Sequence, residues 1–539
     1  MKGKGFVRGM KEVKELKIEE LSVKQKIGMT MIGWVMWGKN TDNYNFDEDF
    51  ENLLELIRSH SLGAVWISPI MSNREEAVRR IYEAADYPIL IMTDAESGLG
   101  EYKIGRHRSL GATGSEELAY TFGKVTGVQA RKIGYNTVCD PVVDMKASGS
   151  RSMGTDKEKV ASMAVAVAKG MHDGGVLSVA KHYPGGSNPS GIDPHMTRVG
   201  SPDTKDQLIE YSLYPYLQLM KHQLLDGIMV EHKKYPRIDP NRPASLSEKV
   251  IGIIREQGFD GFFLTDALEG MQAITAVYGK DKPKGMAIAA GNDLALVYGR
   301  NKPSFDAMCA CYDEGMISEE RLNEAVRRVL EAQHKVTLLP RVEELTPEEK
   351  ENFRRISRDG IYAKVDEGLP VSVSRDGKHL FAIMVHNGLE ISDQGKVVVD
   401  TFNESWYRPD KLTDRLEAMF PNSKVCAIDQ FPSAAQNCRV LNMANDYDDV
   451  VFVTFVDNMA YVGPDCLTSR ILAVMQALLI SGKLTTVVNF GNPAILEPLP
   501  HIPRILVGML AADSVDAAVD VLAGEYPAKG VLTAEVNFQ

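Results

Sequence analysis

A chain of 539 residues, 44% apolar and 25% charged, is long enough for two ordinary globular domains and carries neither the bias of a disordered chain nor that of a fibrous one. Its 61 lysines and arginines against 73 aspartates and glutamates leave a net charge of −12, which repels polyanions, excludes nucleic acid as a general partner and favours a small or neutral substrate. The six cysteines show no CxxC pair and no regular spacing, so no metal, no cofactor and no disulfide framework is expected. With no apolar leader and no apolar stretch of membrane length, the expectation is a cytoplasmic protein without a membrane partner; composition assigns no oligomeric state.

From about Leu21 to Leu338 one unit repeats: a short apolar run, a polar or glycine-rich loop, then an amphipathic helical stretch. The runs are GMTMIGWV, LGAVWIS, YPILIMTD, YNTVCDPVVD, VLSVAKHYPG, DGIMVEH, DGFFLTD and DLALVYG. Such a rhythm predicts parallel strands with crossover helices, and eight strands close a (β/α)₈ TIM-like barrel over residues 1–338. Asp94, Asp144, Lys181 with His182, His232 and Asp266 fall where runs end, the end from which a barrel builds its site. Taken singly, each is as well explained by a helix cap or a turn.

The charged segment EELTPEEKENFRRISR predicts a solvated helix within a linker over 339–375. Beyond it HLFAIMV, KVVVD, KVCAID, DVVFVTFVD, LTTVVNFGNP and RILVGML predict a doubly wound sheet of five or six strands over 376–539, an α/β/α sandwich.

Three segments carry candidate chemistry. In FDGFFLTDALEGM a buried strand delivers Asp266, a potential nucleophile if donors or cations keep it ionised; Lys181, Arg151 and His182 are the candidates. Glu269 competes for that role, or is a first-turn carboxylate favouring a helix N-terminus. In AKHYPGGSNPSGIDPHMTRVG the glycines and prolines exclude a helix, so Asp193 and His195 ride on a long loop. There an aspartate two residues before a histidine either fixes its tautomer for proton exchange or forms a surface Asx turn. The third group, Asp94 in TDAESGLGEY and Arg151 in GSRSMGTD, suits the paired gripping of sugar hydroxyls, with a capping aspartate and a surface arginine as the plainer alternatives.

Taken together and in this order, these segments, with PASLSEKVIGIIREQGFDGFFLTDALEGM, RRVLEAQHKVTLL and NFGNPAIL, resemble glycoside hydrolase family 3 and, within it, the β-N-acetylglucosaminidase branch. The resemblance implies a retaining, exo-acting hydrolase for a small saccharide. It assigns Asp266 as nucleophile, Asp193 and His195 as the acid/base dyad, and Asp94, Arg151, Lys181 and His182 as holders of the nonreducing-end sugar; His232, at the end of the sixth run, is grouped with them. The chain departs from the family pattern in four places: the dyad loop is one residue longer, GGS replaces the usual Gly-His-Gly, Pro194 stands where Ser or Thr is usual, and DAESGLG lacks the usual arginine, leaving Arg106 as the nearest. Three rival readings remain: a phosphorolytic enzyme, a β-glucosidase or β-xylosidase drawing its acid from Glu404, and a sugar-binding protein without catalysis.

Overall fold

The structure is a computed structural model that describes residues 14–35, 45–146, 149–340, 344–385, 389–391, 396–399, 409–456 and 466–538. The chain forms two compact units. One comprises Met1–Tyr102, Ala119–Met145 and Lys157–Lys350; the other comprises Lys103–Leu118, Lys146–Asp156 and Glu351–Gln539.

In the first unit the expected runs supply strands β1 (Met31–Val35), β2 (Ala64–Ile67), β3 (Leu90–Thr93), β4 (Thr137–Val138), β5 (Leu177–Tyr183) and β6 (Gly227–Val230). A short hairpin follows, β7 (Lys234–Tyr235) and β8 (Asp239–Pro243), and then β9 (Phe262–Thr265) and β10 (Ala295–Leu296) complete the set. The eight long-range strands pair in parallel in the order β10-β1-β2-β3-β4-β5-β6-β9. A parallel bridge Leu264↔Leu294 joins the two ends, so the sheet closes into a barrel.

The first run begins three residues later than its apolar stretch suggested. Ser22 and Gln25 form a capping box that starts a helix, Val23–Met29, and reciprocal capping of this kind overrides a continuous apolar reading. The crossover helices obey the same rules. Phe46–Arg58 starts on Asn45, whose side chain accepts from the Glu48 amide, has Asp47, Glu48 and Asp49 in its first turn, and buries Phe50, Leu53, Leu54 and Ile57, one stripe at helical spacing.

The second unit adds β11 (Tyr362–Val365), β12 (His379–Val385), β13 (Leu389–Ile391), β14 (Val397–Val399), β15 (Lys424–Asp429), β16 (Asp449–Val456), β17 (Leu484–Gly491) and β18 (Arg504–Gly508). Its main sheet runs β11-β18-β17-β16-β12-β15, parallel except for β11, which is antiparallel to β18. Both faces are covered: Val450 and Phe452 of β16 enter one core, Val451, Val453 and Phe455 the other. That alternation makes it an α/β/α sandwich.

Two expectations need correction. Residues 339–375 are not a plain linker: helix Pro347–Asp359 buries Phe353 and Ile356, an apolar pair three residues apart that its charge density masked, and β11 is an edge strand of the second sheet. Among the described residues KVVVD does not join that sheet; β14 pairs there with β13 alone.

Candidate active site

Side chains alternate sides along a strand, so two-residue steps stay inside a barrel. Ile32, Ala64, Trp66, Leu90, Met92, Leu177, Val179, Met229, Phe262, Leu264, Leu294 and Leu296 pack into one buried cluster, the barrel interior. One step beyond Met92 is Asp94, beyond Val179 is Lys181, and beyond Leu264 is Asp266. The interior pattern thus delivers three of the expected residues to the C-terminal mouth. The buried Cys139 thiol shows their convergence: its pKa is raised first by burial, then by Asp94 and Asp266, against Lys181.

Lys181 is 1% exposed, and its ammonium binds Asp94 at 2.6 Å and Glu96 at 2.8 Å. Glu96 was not foreseen, although it lies two residues past Asp94, the spacing that keeps two groups on one side of an extended chain. Asp94 is the more open carboxylate, its side chain 36% exposed against 12% for Glu96, and so presents the oxygen that a hydroxyl can reach. Lys181→Met leaves two neighbouring carboxylates without their buried cation. The expected loss in unfolding free energy is on the order of 3 kcal/mol, read from a urea titration at neutral pH.

His182 follows directly. Its Nδ1 meets Asp144 at 2.9 Å and its amide donates to the same carboxylate at 3.3 Å. Asp144 was visible as a strand-end residue, and here it is the partner that orients the imidazole. His232 is buried, with Nδ1 at 2.7 Å from the Ser245 hydroxyl and Nε2 at 3.0 Å from the Ala267 carbonyl. A carbonyl only accepts, so Nε2 carries the proton and Nδ1 accepts from Ser245. Burial lowers the His232 pKa, and the neutral ring acts as a strut behind the segment that carries Asp266.

Asp266 is partly exposed. Its amide donates to the Val230 carbonyl at 2.9 Å and its carboxylate accepts from the Ala267 amide at 2.7 Å. Burial opposes its ionisation, but His182, His232, the Ala267 amide and His195 together hold its pKa below the ordinary aspartate value. Lys181, expected as a cation beside Asp266, pairs with Asp94 and Glu96. Glu269 ceases to compete: it binds the buried Lys284 at 2.8 Å and accepts from the Ser304 hydroxyl at 3.2 Å, a structural ion pair.

The loop from Pro184 to Gly200 is anchored at both ends. Lys233 donates to the carbonyls of Gly185 at 2.6 Å and Gly186 at 3.1 Å, and Ser201 donates to the Lys234 carbonyl at 2.8 Å. Gly185 and Gly186 both sit at φ +79°, a left-handed turn that favours glycine. At its far point the Asp193 carboxylate accepts from the His195 amide at 2.9 Å and meets His195 Nδ1 at 2.7 Å. The Asx turn and the dyad, set against each other as alternatives, are one structure. Pro194 supports it: Asp193 and Pro194 take the first two places of a turn closed by Met196 N–H to the Asp193 carbonyl at 3.0 Å, positions that these residue types favour. The Gln272 amide donates to the His195 carbonyl at 3.1 Å, tying this turn to the segment that follows Asp266.

Arg151 and Arg106 both lie in segments of the second unit. Glu404 lies outside the described residues. Among the described residues no group of three or more His, Cys, Asp or Glu has the geometry to hold a metal ion.

A family model described as the glycosyl hydrolase family 3 N terminal domain matches residues 15–332. The β-hexosaminidase LpqI of Mycobacterium tuberculosis is 35% identical over 232 residues, which cover 39% of this chain and 58% of that protein; the chain thus spans little more than half the length of this relative. A β-hexosaminidase of Idiomarina loihiensis is 28% identical over 243 residues, covering 42% of this chain and 72% of that one. Among solved structures, a glycoside hydrolase family 3 β-N-acetylglucosaminidase from Paenibacillus sp. str. FPU-7 superposes with a TM-score of 0.79 at 25% identity, covering 96% of this chain and 100% of that one. With the match extending over more than half of its length, this chain belongs to glycosyl hydrolase family 3.

Proposed function

We propose that the chain is a retaining, exo-acting β-glycosidase that releases a nonreducing-end N-acetylglucosamine through a covalent glycosyl-enzyme on Asp266. One observation carries this reading: a carboxylate held ionised at the end of β9 stands within electrostatic reach of a carboxylate-backed histidine. In the first step Asp266 attacks the anomeric carbon while His195 gives a proton through Nε2 to the departing oxygen. In the second, the same nitrogen takes a proton from water, which displaces Asp266 from the sugar. Asp193 steadies the imidazolium that donates in the first step and re-forms in the second. Asp94, Lys181 and His182 hold the sugar's hydroxyls, and Arg151 is proposed to join them.

The β-hexosaminidase relatives support N-acetylglucosamine as the sugar. Six unpaired cysteines support a reducing compartment, the cytoplasm, as the setting; among the described residues no helix is long and apolar enough to cross a membrane.

The histidine also supports a second reading. Deprotonated, it is neutral and does not repel an anion, so phosphate can replace water as the acceptor. A panel of 4-nitrophenyl β-glycosides, each assayed with and without phosphate, decides between the readings. The expected result is that the N-acetylglucosaminide is turned over at least about tenfold faster than the glucoside or xyloside, with no dependence on phosphate. Phosphate-dependent formation of a sugar 1-phosphate transfers the assignment to a phosphorylase, a faster glucoside or xyloside to the other branches, and no turnover of any member to a binding protein.

A further inference from the structure

The two-residue step that brings Asp94, Lys181 and Asp266 to the barrel mouth also brings three aromatic rings there. Trp34 is one step beyond Ile32, Trp66 one beyond Ala64, and Tyr298 one beyond Leu296. Register sets them side by side: Ile32 pairs with Leu296 and Trp34 with Trp66. The Tyr298 ring centroid is 4.5 Å from that of Trp34 and 6.1 Å from that of Trp66. Tyr298 is 38% exposed while Trp66 is 8% exposed, so the tyrosine is the open face and the indoles are its backing.

Three features argue against mere packing. Tyr298 has φ +42°, a left-handed backbone that is costly for a bulky side chain and is commonly kept where function demands it. The indole N–H groups of Trp34 and Trp66 are buried with no acceptor among the described residues; Leu or Phe would fill the same space without that cost. The backbone of Trp34 is also clamped from both sides, its N–H and C=O each bound at 3.0 Å by the Asn301 side chain, which Asp49 holds in turn at 2.8 Å.

The rings occupy the arc β10-β1-β2, which runs around the mouth from the strand of Asp266 to the strand of Asp94. A sugar whose anomeric carbon meets Asp266 and whose hydroxyls meet Asp94 has one flank along this arc. We infer that Tyr298, backed by Trp34 and Trp66, is a stacking wall for the apolar C–H face of that same glycosyl unit, the negative π face meeting the sugar's polarised C–H groups. This rests on the function proposed above and adds the residues that recognise the ring itself.

Trp34 and Trp66 are two of the four tryptophans in the chain, so their emission reports binding without turnover. Titration with N-acetylglucosamine should change the emission of the wild type. Tyr298→Gly accepts the left-handed backbone and removes the ring. It should unfold at the same or a higher temperature yet bind the monosaccharide about tenfold or more weakly, whereas Tyr298→Phe, which keeps the ring, should stay within about threefold. Unchanged monosaccharide binding by Tyr298→Gly overturns the wall, as does a loss confined to substrates with larger leaving groups. A wild type that binds but does not hydrolyse, with binding lost in Tyr298→Gly, refutes the hydrolase and leaves the wall standing. A wild type that hydrolyses while Tyr298→Gly binds as before refutes the wall alone, and one that neither binds nor hydrolyses refutes both.

Discussion

Asp266→Asn lowers kcat on 4-nitrophenyl N-acetyl-β-D-glucosaminide by about 10⁴-fold or more, because an amide oxygen cannot form the glycosyl ester through which the reaction runs. Folding should be nearly untouched, since the asparagine oxygen still accepts from the Ala267 amide as the carboxylate does; the expected change in unfolding free energy is within about 1 kcal/mol. The pH dependence has a definite sign. A carboxyl whose folded pKa is depressed is ionised throughout the neutral range, and its contribution to stability is present above the unfolded value and lost as the pH falls through the folded one. The acid limb of kcat/KM set by this group therefore lies below the ordinary aspartate range. Steady-state rates from pH 3 to 8, with circular dichroism at each pH, separate this limb from acid unfolding.

His195→Ala has the second largest effect, and it depends on the leaving group. With a poor leaving group, such as the second sugar of a disaccharide, the loss of proton donation costs about 10²–10⁴-fold in kcat. With an activated phenol that leaves without a proton the first step is nearly unaffected, and the glycosyl-enzyme accumulates because water lacks its base. Small anions such as azide, which need no base, should then restore turnover. Equal loss of kcat/KM, which reports the first step, for both substrate classes contradicts the assignment. Asp193→Asn should follow the same pattern more weakly: the Asx turn survives through the amide oxygen, while stabilisation of the imidazolium is lost.

Much of this was legible in the sequence, and the reasons are particular. All eight barrel runs became strands because buried parallel strands are nearly continuous apolar segments, the most readable pattern there is. Asp94, Lys181 and Asp266 were legible because each follows such a run at the parity that points inward. The partners were harder to see. Glu96, Asp144, Lys284 and Ser245 act through tertiary approach, which periodicity does not encode; the residues alone left Asp266 and Glu269 as alternatives, the resemblance assigned Asp266, and the pairing of Glu269 with Lys284 came only from the structure. The strand Tyr362–Val365 was missed because an edge strand is only half buried and YAKV is four residues long with a lysine inside it. KVVVD misled for the opposite reason: strand propensity predicts extended backbone but not which sheet it joins. Pro194 departs from the family pattern in a way that could help or spoil the Asp193–His195 contact; its preset φ at the second position of a turn suits the two residues to meet.

The most direct measurement is to incubate the protein with an activated 2-deoxy-2-fluoro-β-glycoside, digest it and sequence the labelled peptide by mass spectrometry. Electron withdrawal by fluorine slows both steps, while the good leaving group keeps the first fast enough for the adduct to build up. The account predicts one sugar per chain on the peptide containing Asp266, no label in Asp266→Asn, and undiminished label in Glu269→Gln. A label on any other carboxylate, or inactivation of the enzyme without a bound sugar, contradicts it.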